Sequence, residues 1–150
     1  MKIVFDKAVS DELIERINKL ASSTQSLWGK MNVGQVMAHC CVTYEYVYET
    51  SHKKPGGLKK FLLTSFVKKG VVGDKPYSKN LRTAPDFLMR EDKDFETERK
   101  RLIDYINKTQ ELGEEYFDGK ESHSFGTLNK KEWNAMFYKH LDHHLGQLGV

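Results

Sequence analysis

Apolar residues recur at intervals of three and four along much of the chain, which is the spacing of an amphipathic helix. No segment alternates apolar and polar residues convincingly, so no β-strand is predicted. The pattern predicts four long helices, at Ser10–Ala21, from Asn32 to about Ser51, from Asp94 to Phe117, and from Asn129 to the chain end. In the first of them the apolar stripe comprises Leu13, Ile17 and Leu20.

Two of these helices carry a recognisable start signal. Asn32 is followed three residues later by Gln35, and Asn129 is followed three residues later by Glu132. An Asn side chain can accept a hydrogen bond from the backbone three residues on, while the Gln or Glu side chain bonds back to the first residue. Both pairs therefore predict capping boxes.

The middle third of the chain is where the regular pattern weakens. All three prolines, Pro55, Pro76 and Pro85, lie there, and residues 73–90 read as an extended connection. Residues 58–72 carry a weaker amphipathic pattern interleaved with lysines. We interpret this stretch as a solvated surface helix, with a membrane-surface or acidic-partner role as the alternative.

The resulting fold class is all-α, with residues 1–150 forming one domain. A chain of 150 residues and 17.4 kDa matches the usual size of a single domain. The link of roughly 40 residues between the second and third helices is long enough to cross a bundle, whereas a short link would force antiparallel neighbours. The prediction is a four-helix bundle with a long crossover between helices 2 and 3.

Composition and charge narrow the function classes. The 24 basic and 21 acidic residues leave a net charge of +3, too near balance for a nucleic-acid footprint. No apolar run is long enough to span a bilayer, and the N-terminus does not resemble a secretory signal. We therefore expect a cytoplasmic protein with neither nucleic acid nor membrane as partner. The adjacent Cys40 and Cys41 are expected to be reduced thiols in the core.

The histidines carry the candidate chemistry. There are six of them, at positions 39, 52, 123, 140, 143 and 144. His140 and His144 are four residues apart, so they share a helix face with Trp133 and Phe137, inside the apolar stripe. Buried imidazoles are costly unless something satisfies them, and a divalent metal does so. Leu141 occupies the position where a zinc protease would carry its glutamate, so the pair is not that motif.

A metal site needs a further ligand, and His39 is the best candidate. It lies at the edge of the buried face of the second helix, and it could meet the C-terminal pair if the two helices pack together. The alternative is that these histidines only make hydrogen bonds in the core. His143 is as easily a surface or supporting residue as a ligand, Cys40 is a weaker ligand candidate, and His52 and His123 are expected to be solvated.

Two segments resemble the DinB/YfiT-like metalloenzyme superfamily. The stretch Trp28–His39 is similar to its second-helix signature, in which a Trp and a polar cap precede a single ligand His. The stretch Glu132–Gly149 is similar to the matching C-terminal helix with its His-x-x-x-His pair. The segment Asn80–Pro85 is similar to one found in a branch of that superfamily without an assigned activity. The resemblance covers essentially the whole chain.

The resemblance implies a four-helix bundle with a divalent metal held by His39, His140 and His144. Zinc or nickel is the expected ion, with iron or manganese as alternatives. Characterised relatives are transferases or isomerases that use a low-molecular-weight thiol such as bacillithiol or mycothiol, others are regarded as hydrolases, and dimers are common. We accordingly expect a metal-dependent enzyme acting on a small molecule, a thiol-dependent S-transferase or a hydrolase.

Three readings of the function stay open from sequence. The first is a metal-dependent enzyme. The sequence does not identify its catalytic acid or base, and only Thr43 and Tyr46 lie near the helix face that carries His39. A binding or stress-associated module of the same fold, with or without metal and without turnover, is the second. A plain helical interaction protein is the third.

Overall fold

The computed structural model describes residues 1–150, and 59% of them are helical. In chain order the helices are α1 (Lys7–Asn18), α2 (Val33–Tyr48), α3 (Gly57–Leu62), α4 (Lys68–Val72), α5 (Phe95–Phe117), α6 (Lys130–Asn134) and α7 (His140–Gln147). π-Helical turns at Leu63–Val67 and Ala135–Lys139 join α3 to α4 and α6 to α7, and a 3-10 turn at Pro85–Phe87 precedes α5. The predicted helical class is thus confirmed. None of the helices combines the length and hydropathy needed to span a bilayer.

Both predicted capping boxes are present. Asn32 Oδ1 accepts the backbone N–H of Gln35 at 2.9 Å, and Gln35 Oε1 accepts the backbone N–H of Asn32 at 3.0 Å. Asn129 and Glu132 form the same reciprocal pair, with both bonds at 3.0 Å. These bonds satisfy backbone donors that a helix start leaves free, and they fix where α2 and α6 begin.

The predicted bounds of the first helix are wrong by three residues at each end. The apolar pattern places the helix start at Ser10, but Ser10 lies inside the helix, where it is buried and its hydroxyl donates to the carbonyl of Val4 at 2.6 Å. Asp6 occupies the capping position with extended backbone, and α1 runs from there to Asn18. The apolar stripe is nevertheless correct, because Leu13, Ile17 and Leu20 are all buried.

A short antiparallel hairpin contradicts the prediction that the chain has no strand. β1 (Lys120–Ser122) pairs with β2 (Gly126–Leu128), with Glu121 opposite Thr127. Each strand has three residues, which is too short for a period-2 pattern to be visible in the sequence. The hairpin places Leu128 in the core and leads into α6.

The core lies where α2 packs against α5 and α7, and where α1 packs against α5 and α7. The start of α2 approaches the chain before α5 closely, since a Cβ on Gly34 would lie 2.2 Å from the carbonyl oxygen of Lys93. Cys40 and Cys41 are buried in this core as free thiols. An aromatic group at one side of the core comprises Phe5, Phe117, Trp133 and Phe137.

The crossover between α2 and α5 is helical over 57–72, as the sequence predicts, and irregular over 73–94 apart from the 3-10 turn. The buried Lys139 fixes its middle, because its Nζ donates to the carbonyls of Gly70, Gly73 and Lys75 at 2.5–3.1 Å. These bonds hold the end of α4 against the C-terminal helical segment that carries two of the candidate ligands.

Candidate metal centre

The structure brings His39, His140 and His144 together. His39 comes from the middle of α2, and the other two lie one turn apart on α7. One ring nitrogen from each residue lies within 4.8 Å of the others, and the Nε2 atoms of His39 and His140 are 3.1 Å apart. His39 therefore lies next to His140 and His144, as the sequence predicts.

The orientation of His39 is fixed by a backbone carbonyl. Its Nδ1 lies 2.9 Å from the carbonyl oxygen of Phe87, in the 3-10 turn that precedes α5. A carbonyl oxygen can only accept, so Nδ1 carries the proton. In the neutral ring, Nε2 then presents its lone pair toward the other two histidines.

Gln147 fixes His144 in the same way. The Nδ1 atom of His144 lies 2.8 Å from Oε1 of Gln147, whose amide Nε2 donates to the carbonyl of Trp28 at 2.7 Å. Because the Trp28 carbonyl requires the amide nitrogen, the amide oxygen must face His144, and Nδ1 must be the donor. Gly29 allows this contact, since a Cβ there would lie 2.6 Å from the Gln147 amide nitrogen.

His140 is held by a side chain of α2. Its Nδ1 lies 3.1 Å from the hydroxyl oxygen of Thr43, which follows His39 by one helical turn. All three rings are thus hydrogen-bonded through Nδ1, which leaves Nε2 of each ring available to a ligand. Metal-ligating histidines typically have such a second hydrogen bond, which fixes both the tautomer and the plane of the ring.

Burial keeps the three imidazoles neutral. It lowers the pKa of His140 well below the ordinary value, and the nearby rings of His144 and His39 act in the same direction. Burial likewise lowers the pKa of His144 to about 3, with His39 as the next cause. The pKa of His39 is also lowered by burial, against the opposing effect of the Phe87 carbonyl. Neutral imidazole is the form that binds a metal.

Aromatic rings flank the cluster. Phe87 contacts the rings of His39 and His140 at centroid distances of 5.2 and 5.8 Å, and Tyr77 lies 6.4 Å from His140. His143 lies outside the three-histidine group. Its ring packs edge-on against Trp28 and Tyr77 at 6.0 and 5.6 Å, and against the ring of His144 at 5.0 Å.

The expectation that His52 and His123 are solvated is wrong. His123 is only 8% exposed, because its ring stacks on Tyr46 at a centroid distance of 3.8 Å. His52 is partly buried, with its Nε2 2.7 Å from a carboxylate oxygen of Glu45. Both lie in turn-like sequence, but the tertiary packing of the hairpin and of α2 covers them.

Of the weaker candidate site residues, Thr43 lies at the cluster and Tyr46 and Cys40 do not. Thr43 touches the cluster through His140, as described above. Tyr46 turns away from it and donates its hydroxyl to Asp86 at 2.7 Å. Cys40 is outside the group of possible ligands, and burial raises the pKa of its thiol well above the ordinary value.

Two residues that orient the histidines are not among the site residues predicted from sequence. Gln147 lies three residues after His144, a spacing that places them on the same helix face and that could have been noticed. Phe87 acts through its carbonyl, which every residue possesses, so its contribution follows only from the path of the crossover.

The donor set fits a divalent transition ion. Zn–N bonds of about 2.0–2.1 Å place tetrahedral ligands about 3.3 Å apart. The 3.1 Å between Nε2 of His39 and Nε2 of His140 is close to that value, and the three ring nitrogens lie within 4.8 Å of one another. Three nitrogen ligands are typical of catalytic rather than structural zinc, because a fourth position stays available. The arrangement can therefore hold a metal and present it to a small molecule.

The fold and the centre define the protein as a predominantly helical domain with a three-histidine cluster able to hold a metal. A family model described as "Protein of unknown function (DUF1569)" matches residues 5–149. The chain therefore belongs to the DUF1569 family. A search of curated proteins and a search of solved structures found no match.

Proposed function

We propose that this protein is a divalent-metal-dependent enzyme whose ion is held by His39, His140 and His144. The observation that carries the proposal is the shared orientation of the three rings. Each has its Nδ1 engaged by a separate partner, which leaves its Nε2 available to a ligand, and one ring nitrogen of each residue lies within 4.8 Å of the others. Hydrogen bonds of this kind on the outer nitrogen are typical of histidines that bind a metal.

The residues of this chain divide the work at that centre. The three imidazoles hold the ion, and Phe87, Thr43 and Gln147 orient them from outside. A divalent ion bound by neutral imidazoles supplies Lewis acidity to a thiol or to water, which lowers the pKa of that group. The rings of Phe87 and Tyr77 flank the histidines and supply an apolar surface beside the ion.

The proposed reaction class is thiol-dependent S-transfer, or else hydrolysis, on a small-molecule electrophile. It rests on the resemblance of Trp28–His39 and Glu132–Gly149 to the DinB/YfiT-like superfamily, with its four-helix bundle. Zinc or nickel is the ion we propose, with iron or manganese as alternatives, because imidazole ligands suit all of them. We also propose a low-molecular-weight thiol as the second substrate of the transfer reaction and the cytoplasm as the location of the protein.

Metal analysis of tag-free protein tests the binding half of this proposal. We expect about one transition-metal ion per chain in the wild type, and loss of that ion in both His39→Ala and His140→Ala. His143→Ala is the matched control, since it changes a histidine on the same helix that is outside the three-histidine group. Equal metal content in all four proteins would contradict the ligand set.

A thiol-consumption assay tests the catalytic half. Metal-loaded wild-type protein is mixed with a panel of low-molecular-weight thiols and an alkylating or epoxide electrophile, and free thiol is followed with time. We expect consumption that His140→Ala abolishes and His143→Ala retains. Hydrolysis of ester and amide substrates is assayed with the same variants. The absence of any turnover by metal-loaded protein would contradict the enzyme.

A non-catalytic module is the second candidate, and one distance favours it. With Nδ1 of His39 protonated, Nε2 of His140 can donate directly to Nε2 of His39 across 3.1 Å, while Thr43 donates to Nδ1 of His140. The cluster can therefore be satisfied as a hydrogen-bonded group. A protein that folds stably and binds no metal would support this second function.

A further inference from the structure

The helical segment of the crossover turns large apolar side chains toward water. Leu58, Phe61 and Phe66 are 76%, 63% and 77% exposed, and Leu62 and Val67 are exposed beside them. We call these five residues the outward apolar face. Scattered exposed apolar residues are ordinary, but a contiguous group on one helical segment is typical of an interaction site.

The segment is oriented in the opposite sense to an ordinary surface helix. Such a helix buries its apolar side and turns its charges to water. Here Lys60 and Lys68 point toward the domain, where they pair with Glu121 and Glu132 at 2.7 and 2.9 Å. The ion pairs and the buried Val72 attach the segment to the body and leave its apolar side outward.

The segment also concentrates positive charge. Residues 51–73 contain six lysines and no acidic residue. The whole chain carries +3, so the remaining residues carry −3. Lys59 and Lys69 are exposed and lie on the same segment as the outward apolar face. Apolar residues flanked by lysines match a surface that is apolar beneath a layer of negative charge.

We propose that the outward apolar face docks on an anionic lipid bilayer surface. The exposed Lys59 and Lys69 contact the headgroups, and the side chains of Phe61 and Phe66 enter the boundary with the acyl chains. A second copy of the chain fits this surface poorly, because a symmetric contact would bring the same lysines of two copies together. This inference replaces the expectation that the chain has no membrane partner, and it does not depend on the proposed metal.

The segment is held firmly enough to act as a docking element. Lys139 binds the carbonyls of Gly70 and Gly73, and the Tyr77 hydroxyl donates to the carbonyl of Val71 at 3.1 Å. The ring of Tyr77 in turn lies beside His140. A docked segment would therefore carry the candidate metal centre with it to the membrane surface.

Vesicle co-sedimentation of the full-length protein tests the proposal. Phosphatidylcholine vesicles are compared with vesicles that also contain phosphatidylserine, at low and high salt. We expect binding to the anionic vesicles, weakened by salt. Phe61→Ser/Phe66→Ser should lower the partition coefficient by about tenfold or more, and Lys59→Gln and Lys69→Gln by about fivefold each.

The matched control is Leu27→Ser/Leu81→Ser, which removes two apolar side chains of similar exposure, 69% and 60%, from outside the segment. It should bind like the wild type. Circular dichroism confirms that the variants fold, which is expected because the changed residues are exposed. Equal binding to both kinds of vesicle, or unchanged binding by Phe61→Ser/Phe66→Ser, would overturn the proposal. So would absent vesicle binding together with a dimer, seen by light scattering, that this variant disrupts.

Discussion

The Nδ1 atom of His144 donates to Oε1 of Gln147, and the amide of Gln147 donates in turn to the carbonyl of Trp28. Two donors in series thus determine which nitrogen of His144 is left for a ligand. These two hydrogen bonds join the C-terminal helix to the loop before α2, so Gln147 should influence metal affinity.

Gln147→Ala should weaken metal binding by about 10–100-fold without removing a ligand, because the tautomer and plane of His144 are no longer fixed. Isothermal titration of the chelator-treated protein with zinc measures the change. Gln110→Ala is the control, since that amide makes only a long 3.4 Å bond to the Phe5 carbonyl. An unchanged zinc affinity in Gln147→Ala would show that the amide has no role in the centre.

Thr43 provides a second test of orientation, at His140. Thr43→Val preserves the branched shape and removes the hydroxyl that bonds Nδ1, whereas Thr43→Ser keeps the hydroxyl. We expect zinc affinity to fall by about tenfold in the valine variant and to be largely restored in the serine variant. Equal affinities in the two variants would argue against the hydrogen bond and in favour of packing alone.

Lys139 should matter for stability rather than for chemistry. Lys139→Met keeps much of the buried stem but leaves three backbone carbonyls without their donor. Leaving buried acceptors unpaired should lower the free energy of unfolding by about 2 kcal/mol. Urea denaturation measures it, with the exposed Lys131→Met as control. If both variants are as stable as the wild type, the three bonds do not anchor the crossover.

The aromatic group of the core gives the largest expected loss of stability. Phe117 is fully buried and its ring contacts Phe5, Trp133 and Phe137. Phe117→Ala should lower the free energy of unfolding by about 3–5 kcal/mol through lost contacts and the cavity left behind. The neighbouring Tyr116→Ala, at a largely exposed position, should cost much less in the same urea titration. Similar losses in both would contradict the assigned core.

Local signals were predictable because the residues that cause them are close in sequence. The capping pairs Asn32–Gln35 and Asn129–Glu132 each span one helical turn, and both are present. The i, i+4 spacing of His140 and His144 likewise places both on one face. The start of α1 was mispredicted because the Ser10 hydroxyl bonds to Val4, a contact that depends on how the N-terminus folds back.

The parts that could not be predicted depend on contacts between distant segments. The tautomer of His39 is set by a carbonyl 48 residues away, and the Gln147 amide is set by Trp28 at a separation of 119 residues. His123 is buried by Tyr46, a contact that a turn-like local sequence does not reveal. No periodicity encodes such pairings, since each depends on the route of the crossover and of the hairpin.

A crystal structure of zinc-loaded protein, with data collected at the zinc absorption edge, tests the three-histidine centre most directly. We expect one anomalous peak about 2.0–2.1 Å from Nε2 of each of His39, His140 and His144. A fully loaded crystal with no peak at that point, or with its zinc on His143 or His52 instead, would contradict it.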